Sequence, residues 1–128
     1  MVTFGGDGEF LSKRLNSVSS QIKGRRTQFV NTGNISDTCK FYICRYKHNR
    51  FKFGITAVDI EFRSSIFNKG TRHYHELFSG TRLEVANLEA LIKLKFNQIN
   101  EDFLDRDFKI FKRYFRESLT ELNLSIRV

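Results

Sequence analysis

The sequence predicts a small α/β protein of the α+β type, in which a three-stranded mixed or antiparallel sheet is flanked by helices. Two observations predict it. Segments rich in aromatic and β-branched residues occupy the middle of the chain, and segments with apolar residues every three or four positions lie on both sides. We divide the 128 residues into a helical arm with a loop, residues 1–38, and a main domain, residues 39–128.

The arm is predicted to hold one amphipathic helix over residues 9–23. Its apolar residues recur at helical spacing, at Leu11, Leu15, Val18 and Ile22. We expect Gly24 to end the helix, because glycine commonly follows the last helical turn. Residues 31–38 are mostly turn formers and predict a loop.

A β-hairpin is predicted next, with strands at residues 40–46 and 51–56. If a regular loop of two or four residues joins the strands, the two residue numbers of each cross-strand pair add up to 97. Tyr42 and Lys52 then point to opposite faces of the sheet. An odd-length loop or a bulge near Asn49 would instead make the sum even and place both side chains on one face.

The rest of the chain predicts three helices and one strand. A short helix should run from about residue 56 to 67, and a third strand from 74 to 78. Thr81 and Glu84 form a capping box that opens a helix reaching Phe96. A long amphipathic C-terminal helix is predicted from Leu104 to Leu122.

The positive charge of the chain is concentrated in its middle. The net charge is +8, and residues 39–98 hold eleven basic against five acidic side chains. This distribution fits a polyanion such as DNA, and a solubilising surface charge is the alternative. No apolar run approaches the roughly 20 residues needed to cross a bilayer. We therefore expect a cytoplasmic protein without a membrane partner, in which Cys39 and Cys44 stay reduced.

Two charged residues occupy packing faces of predicted helices. Glu89 shares its face with Val85, Leu88, Ile92 and Phe96, so its carboxylate needs a partner, either a structural arginine or a hard divalent cation. Arg63 lies between Ile60 and Phe67 and should meet a carboxylate or a phosphate. A plain salt bridge between Arg63 and Glu89 is the structural alternative.

Four segments in this order resemble the GIY-YIG nuclease superfamily, in particular its phage and bacterial branch with a "KIGIT"-type second motif. They are Phe41-Tyr42-Ile43, Phe51-Lys52-Phe53-Gly54-Ile55-Thr56, Asp59-Ile60-Glu61-Phe62-Arg63 and Leu88-Glu89-Ala90-Leu91-Ile92. The resemblance covers about residues 40–97. It implies a metal-dependent endonuclease that cleaves DNA phosphodiester bonds.

The resemblance also implies a role for each matching residue. Tyr42 would activate the attacking water, and Lys52, beside it, would lower the pKa of the phenol or touch the phosphate. Arg63 would hold the scissile phosphate, and Glu89 would bind the metal, Mg²⁺ or Mn²⁺. A terminal polar residue of the family corresponds to Asn97 or Asn100.

The chain departs from the family pattern at three places. Lys40 and Phe41 replace glycine and isoleucine before Tyr42, Lys52 replaces the second tyrosine, and Phe67 replaces a histidine or tyrosine. The last two changes support an alternative, a catalytically inactive nucleic-acid-binding module on the same fold.

DNA is the predicted partner, and a homodimer is one option for the working form. The predicted DNA contacts are basic residues near the motifs, namely Arg25, Arg26, Arg45, Lys69 and Arg72. Arg25 and Arg26 have a structural alternative, because positive charge suits the end of the predicted first helix. The composition is phage-like, so the expected location is the host cytoplasm if a phage encodes the chain.

Overall fold

The computed structural model describes residues 5–34, 37–58 and 74–124. These residues form three α-helices and a four-stranded antiparallel sheet, which confirms the α+β class. In chain order the elements are α1 (Gly5–Asn31), β1 (Thr38–Lys47), β2 (Arg50–Thr56), β3 (Tyr74–Thr81), α2 (Arg82–Phe96), β4 (Asp102–Leu104) and α3 (Phe108–Glu121).

The sheet has one strand more than the sequence predicted. Its order is β3-β1-β2-β4, and β4 pairs with the outer edge of β2 through Phe51 opposite Phe103 and Lys52 opposite Asp102. The pairing carries Phe103 into the core, where its ring is 3% exposed. Burial of this apolar ring stabilises the pairing of the three-residue strand β4 with β2.

The hairpin of β1 and β2 contains the irregularity on which the predicted site depends. The two residue numbers of each pair add up to 96, from Lys40 opposite Thr56 to Arg45 opposite Phe51. The register then shifts between Arg45 and Lys47. Tyr42 therefore lies opposite Gly54, and Cys44 lies opposite Lys52. Tyr42 and Lys52 share one face of the sheet, as the prediction with a bulge required.

The other face of the sheet carries an aromatic core. The Phe111 ring of α3 lies 5.5 Å from the Phe53 ring and 4.9 Å from the Phe103 ring, and Phe115 lies 5.6 Å from Phe41. Helix α2 adds the buried side chains of Val85, Leu88 and Ile92 to the same cluster. The core thus joins β1, β2, β4, α2 and α3.

Helix α1 is longer than predicted and packs against α2. It continues through Gly24 to Asn31, so the prediction that Gly24 ends it is wrong. Arg26 Nη1 donates a hydrogen bond to Asn87 Oδ1 at 3.1 Å, and Arg82 Nη1 donates one to the Phe29 carbonyl oxygen at 2.8 Å. These contacts compensate for a glycine inside the helix, which costs about 1 kcal/mol relative to alanine.

The ends of α2 and α3 follow from their capping residues and from β4. The predicted capping box is present: the Thr81 hydroxyl accepts from the Glu84 backbone N–H, and the Glu84 carboxylate accepts from that of Thr81. Helix α3 begins at Phe108 and not at Leu104, because Asp102–Leu104 is a strand and Asp105–Asp107 a 3-10 turn. The predicted start of the C-terminal helix is therefore wrong.

The remaining predictions concern the two cysteines, membrane-spanning helices, and residues that the structure does not describe. Cys39 and Cys44 are buried and unbridged, as predicted. None of the described helices has the length and apolar character that a membrane span requires. The helix predicted to end at residue 67 lies largely outside the described residues, and so do Arg63, Lys69 and Arg72.

Candidate active site

A pocket of about 210 Å³ lies where α1, β1, β2 and α2 meet. At roughly 30 Å³ per water molecule, it has room for a phosphate group or a hydrated cation. It brings together two of the predicted catalytic residues, Tyr42 and Glu89, with Arg25, a predicted DNA contact. The complete lining is Arg25, Phe29, Tyr42, Gly54, Ile55, Glu89, Lys93 and Glu101.

The position of Tyr42 in the pocket depends on the absence of a side chain at Gly54. Tyr42 is 1% exposed, and a Cβ atom at Gly54 would lie 2.5 Å from its Oη and 2.8 Å from its Cζ. The ring of Tyr74 lies 5.0 Å from that of Tyr42. Gly54 thus makes room for the ring of Tyr42.

Glu89 has an ion-pair partner on its own helix. Its Oε1 lies 3.4 Å from Lys93 Nζ, one helical turn further on, and the two side chains are 14% and 2% exposed. Lys93 Nζ also lies 3.3 Å from Glu101 Oε1. One buried ammonium group therefore connects two carboxylates of the pocket wall.

Glu101 is held in the pocket by the turn between α2 and β4. Asn97 ends α2 in a left-handed conformation at φ 57°. Gln98 Nε2 then donates hydrogen bonds to the Asn100 and Asp102 carbonyl oxygens at 2.8 and 2.6 Å. The Phe53 N–H of β2 donates to the Glu101 carbonyl oxygen at 2.8 Å, which fixes Glu101 beside β2.

The surroundings of Glu89 raise the pKa of its carboxyl group from 4.5 to about 6. Burial is the largest cause, because removing water disfavours the charged form. The positive charge of Lys93 opposes it, Glu101 raises the pKa further, and Arg25 lowers it. Glu89 therefore gains or loses its proton near pH 6.

The other predicted site residues have different surroundings. Lys52 lines an adjoining pocket with Arg25. Arg45 lies on the opposite face of the sheet from Tyr42, with its guanidinium 4.5 Å from the centre of the Phe51 ring and 3.5 Å from Asp105. Arg26 is hydrogen-bonded to Asn87 between α1 and α2. The structure thus brings Arg25 to the pocket but not Arg45.

Asn97 and Asn100, the two predicted matches to the terminal polar residue of the family, lie in different surroundings. Asn97 caps α2 with its backbone N–H bonded to the Leu94 carbonyl oxygen at 3.1 Å. Asn100 lines the adjoining pocket beside Lys52.

Sequence reasoning missed Lys93 and Glu101. Lys93 stands four residues after Glu89, the spacing at which a glutamate and a lysine meet on a helix, and this signal was available from the sequence. Glu101 carried no comparable signal, because its place depends on β4. Within the described residues, no group of three or more His, Cys, Asp or Glu side chains is placed to hold a metal.

Comparisons of the chain with protein-family models, with curated proteins and with solved structures found no match.

Proposed function

We propose that the chain is a metal-dependent DNA endonuclease of the GIY-YIG type, which hydrolyses a phosphodiester bond in the pocket between Tyr42 and Glu89. One observation carries the proposal. Tyr42, Gly54 and Glu89, which come from three separate motifs, line a single pocket together with the basic side chain of Arg25. A tyrosine, a carboxylate and a guanidinium in one polar pocket are suited to phosphodiester chemistry.

The carboxylates of the pocket fit a hard divalent cation. Mg²⁺ is commonly bound through one or two carboxylates, with water and substrate phosphate oxygens as its other ligands. Glu89 would hold the ion, and Glu101 is the second carboxylate within reach of the same ammonium group. When bound, Mg²⁺ or Mn²⁺ stabilises the negative charge that develops on the phosphoryl oxygens.

The protein side chains would supply orientation and proton transfer. In the proposed hydrolysis, a water oxygen forms a bond to phosphorus and the bond from phosphorus to the leaving oxygen breaks. The Tyr42 oxygen, acting as a phenolate, takes the proton of the water, and the leaving oxygen takes a proton from solvent. Gly54 sets the position of that phenol. Arg63 keeps its predicted role at the scissile phosphate.

Incubation of the purified protein with supercoiled plasmid, with Mg²⁺ or with EDTA, tests the proposal. We expect nicked or linear DNA only with Mg²⁺, and a loss of about 10² to 10⁴ in rate for Tyr42→Phe, which keeps the ring but removes the phenol oxygen. Glu89→Gln should be inactive. Glu121→Gln, an exposed carboxylate of α3, is the matched control. Full activity of both site variants contradicts the proposal.

A binding module without catalysis is the second candidate, and one observation favours it. The ion pair with Lys93 neutralises Glu89 within the protein, so its burial does not require a metal. This candidate predicts that a labelled DNA duplex binds equally well with EDTA and with Mg²⁺, and that plasmid stays supercoiled in both. Mg²⁺-dependent nicking eliminates it.

A further inference from the structure

A second pocket adjoins the one that holds Tyr42 and Glu89. It has a volume of about 200 Å³ and is lined by Arg25, Lys52, Asn100, Glu101 and Asp102. The two pockets share Arg25 and Glu101. The two pockets therefore lie side by side, and we refer to them together as the groove.

The acidic and the basic side chains of the second pocket differ in whether they form ion pairs within the described part of the chain. The acidic side chains have cationic partners outside it: Glu101 pairs with Lys93 at 3.3 Å, and Asp102 with Arg50 at 3.3 Å. Within the described part of the chain, Arg25 and Lys52 make no salt bridge and no side-chain hydrogen bond. Their positive charges remain available to an anion in the groove.

We propose that the second pocket is a subsite for the phosphate group next to the one that is cleaved, with Arg25 and Lys52 as its ligands. The inference rests on the proposed function, because it takes a polynucleotide as the substrate. A guanidinium group binds phosphate through two parallel hydrogen bonds, and an ammonium group adds a point charge. Asn100 would face the sugar or base beside that phosphate.

The spacing of the pockets along β2 fits this assignment. Gly54 lines the first pocket and Lys52 the second, two residues apart on the same face of one strand. Two residues of a strand span about 7 Å. Consecutive phosphates of a polynucleotide are separated by a similar distance, so one backbone can contact both pockets.

The subsite also gives α1 a role in recognition. Arg25 belongs to α1, which precedes the segment that resembles the nuclease family. Hydrogen bonds from Arg26 to Asn87 and from Arg82 to the Phe29 carbonyl oxygen hold this part of α1 against α2. Arg25 is therefore placed by a docked helix at the junction of the two pockets, where it would bind the substrate phosphate.

Salt-dependent binding of a fluorescein-labelled DNA duplex in EDTA tests the subsite. Each phosphate contact contributes about −0.9 to the slope of log affinity against log salt concentration. We expect Arg25→Gln and Lys52→Gln each to make the slope shallower by up to this amount, because both side chains bind the same phosphate. Arg113→Gln should leave it unchanged, because Arg113 is an exposed residue of α3, which packs on the opposite face of the sheet.

Duplexes with one neutral methylphosphonate identify the phosphate involved. At one position beside the cleaved bond, the substitution should weaken wild-type binding more than it weakens binding by Arg25→Gln or Lys52→Gln, because each variant has already lost one of the two contacts to that phosphate. If both variants keep the wild-type slope, or if every methylphosphonate weakens wild type and Arg25→Gln equally, the subsite is wrong. Circular dichroism of each variant verifies that it is folded.

The two proposals fail in different ways. Plasmid cleavage by the wild-type protein together with unchanged salt slopes overturns the subsite and leaves the nuclease proposal standing. Shallower slopes without any cleavage support the phosphate subsite and overturn the nuclease activity.

Discussion

The contact between Tyr42 and Gly54 defines the pocket at the level of single residues. Position 54 lies opposite Tyr42 in the neighbouring strand, and the phenol ring occupies the space that a larger side chain would need. Glycine costs a strand conformational entropy and packing area. Here it permits a buried tyrosine whose oxygen lies close to the strand backbone.

Gly54→Ala should therefore displace the Tyr42 ring. The new methyl group would lie 2.5 Å from the phenol oxygen, so the ring or strand must move, at a cost of about 1 to 3 kcal/mol. Urea denaturation measures this cost, and the plasmid assay should show lower activity. Gly24→Ala is the control: it has open space around it in α1 and should be neutral or stabilising. Equal stability of the two variants would contradict this account.

The raised pKa of Glu89 predicts a pH dependence of stability. The folded state holds the proton more tightly than the unfolded chain, whose glutamate titrates near 4.5. The contribution of Glu89 to the free energy of unfolding therefore falls as the pH rises from 4.5 to about 6, and stays lower at higher pH. The difference is on the order of 2 kcal/mol.

Comparison of the wild type with Glu89→Gln isolates this effect. Urea denaturation at pH 4.5 and pH 7 should show that the wild type loses about 2 kcal/mol relative to the variant over this range. Glu121→Gln, which changes an exposed carboxylate, should follow the wild type. Parallel curves for the wild type and Glu89→Gln would show that the pKa is not raised.

The need of Glu89 for a partner was predictable, but the identity of that partner was not. The sequence placed its charge on an apolar helix face and left an arginine or a metal as alternatives. The structure provides Lys93, whose aliphatic stem lets it be buried while its ammonium group reaches two carboxylates. The second carboxylate, Glu101, lies in a turn whose position only the folded chain defines.

At the scale of elements, α1 shows how packing overrides a local stop signal. Gly24 favours a helix end, but it lies on an exposed part of the helix with open space around it. The contacts made further on, at Arg26 and Phe29, exceed the modest cost of a helical glycine. Sequence periodicity up to residue 23 carries no information about these contacts.

Arg82 should be the main residue that holds α1 in place. Its guanidinium is 7% exposed, pairs with Asp37 at 3.0 Å and lies 4.6 Å from the centre of the Phe29 ring. We expect Arg82→Ala to destabilise the protein by about 2 to 3 kcal/mol. Hydrogen exchange should also show faster opening of the last turns of α1. Arg113→Ala, on the surface of α3, should change neither measurement.

The strands divide into those whose pairing the sequence could predict and one that it could not. The hairpin was evident from its β-branched and aromatic residues. Because side chains alternate between the faces of a strand, Tyr42 and Lys52 could share a face only if the residue numbers of paired positions had an even sum. The choice of that register depended on the bulge, which no residue specified alone. β4 was hidden because Leu104 also fits the apolar period of α3, and three residues are too few for a period-two pattern.

At the scale of the whole molecule, the stability of the site depends on the aromatic core behind it. Phe111 is 1% exposed, and its ring lies within 6.5 Å of five other phenylalanine rings. Phe29 and Ile55 line the pocket and also pack against this core. A defect in the core therefore affects the pocket through these side chains as well as through β1 and β2.

Phe111→Ala should lower the free energy of unfolding by about 3 to 5 kcal/mol, because it leaves a cavity among these rings. Ile110→Ala, which changes the exposed neighbour on α3, should cost much less. Thermal denaturation distinguishes the two. If DNA binding of Phe111→Ala is lost only where the variant is unfolded, the core acts through stability. Loss of binding in a fully folded variant would contradict this.

The order of the pocket residues along the sequence determines when the pocket can form in the nascent chain. Its lining begins at Arg25 and is completed only by Glu101, and β2 gains its main-chain bond to Glu101 at the same point. A ribosome must therefore translate the chain through Glu101 before the pocket can close, and every shorter nascent chain lacks part of its wall. Under the proposed function, a nascent chain that stops short of Glu101 would be harmless to nearby DNA, and activity would require synthesis past that residue.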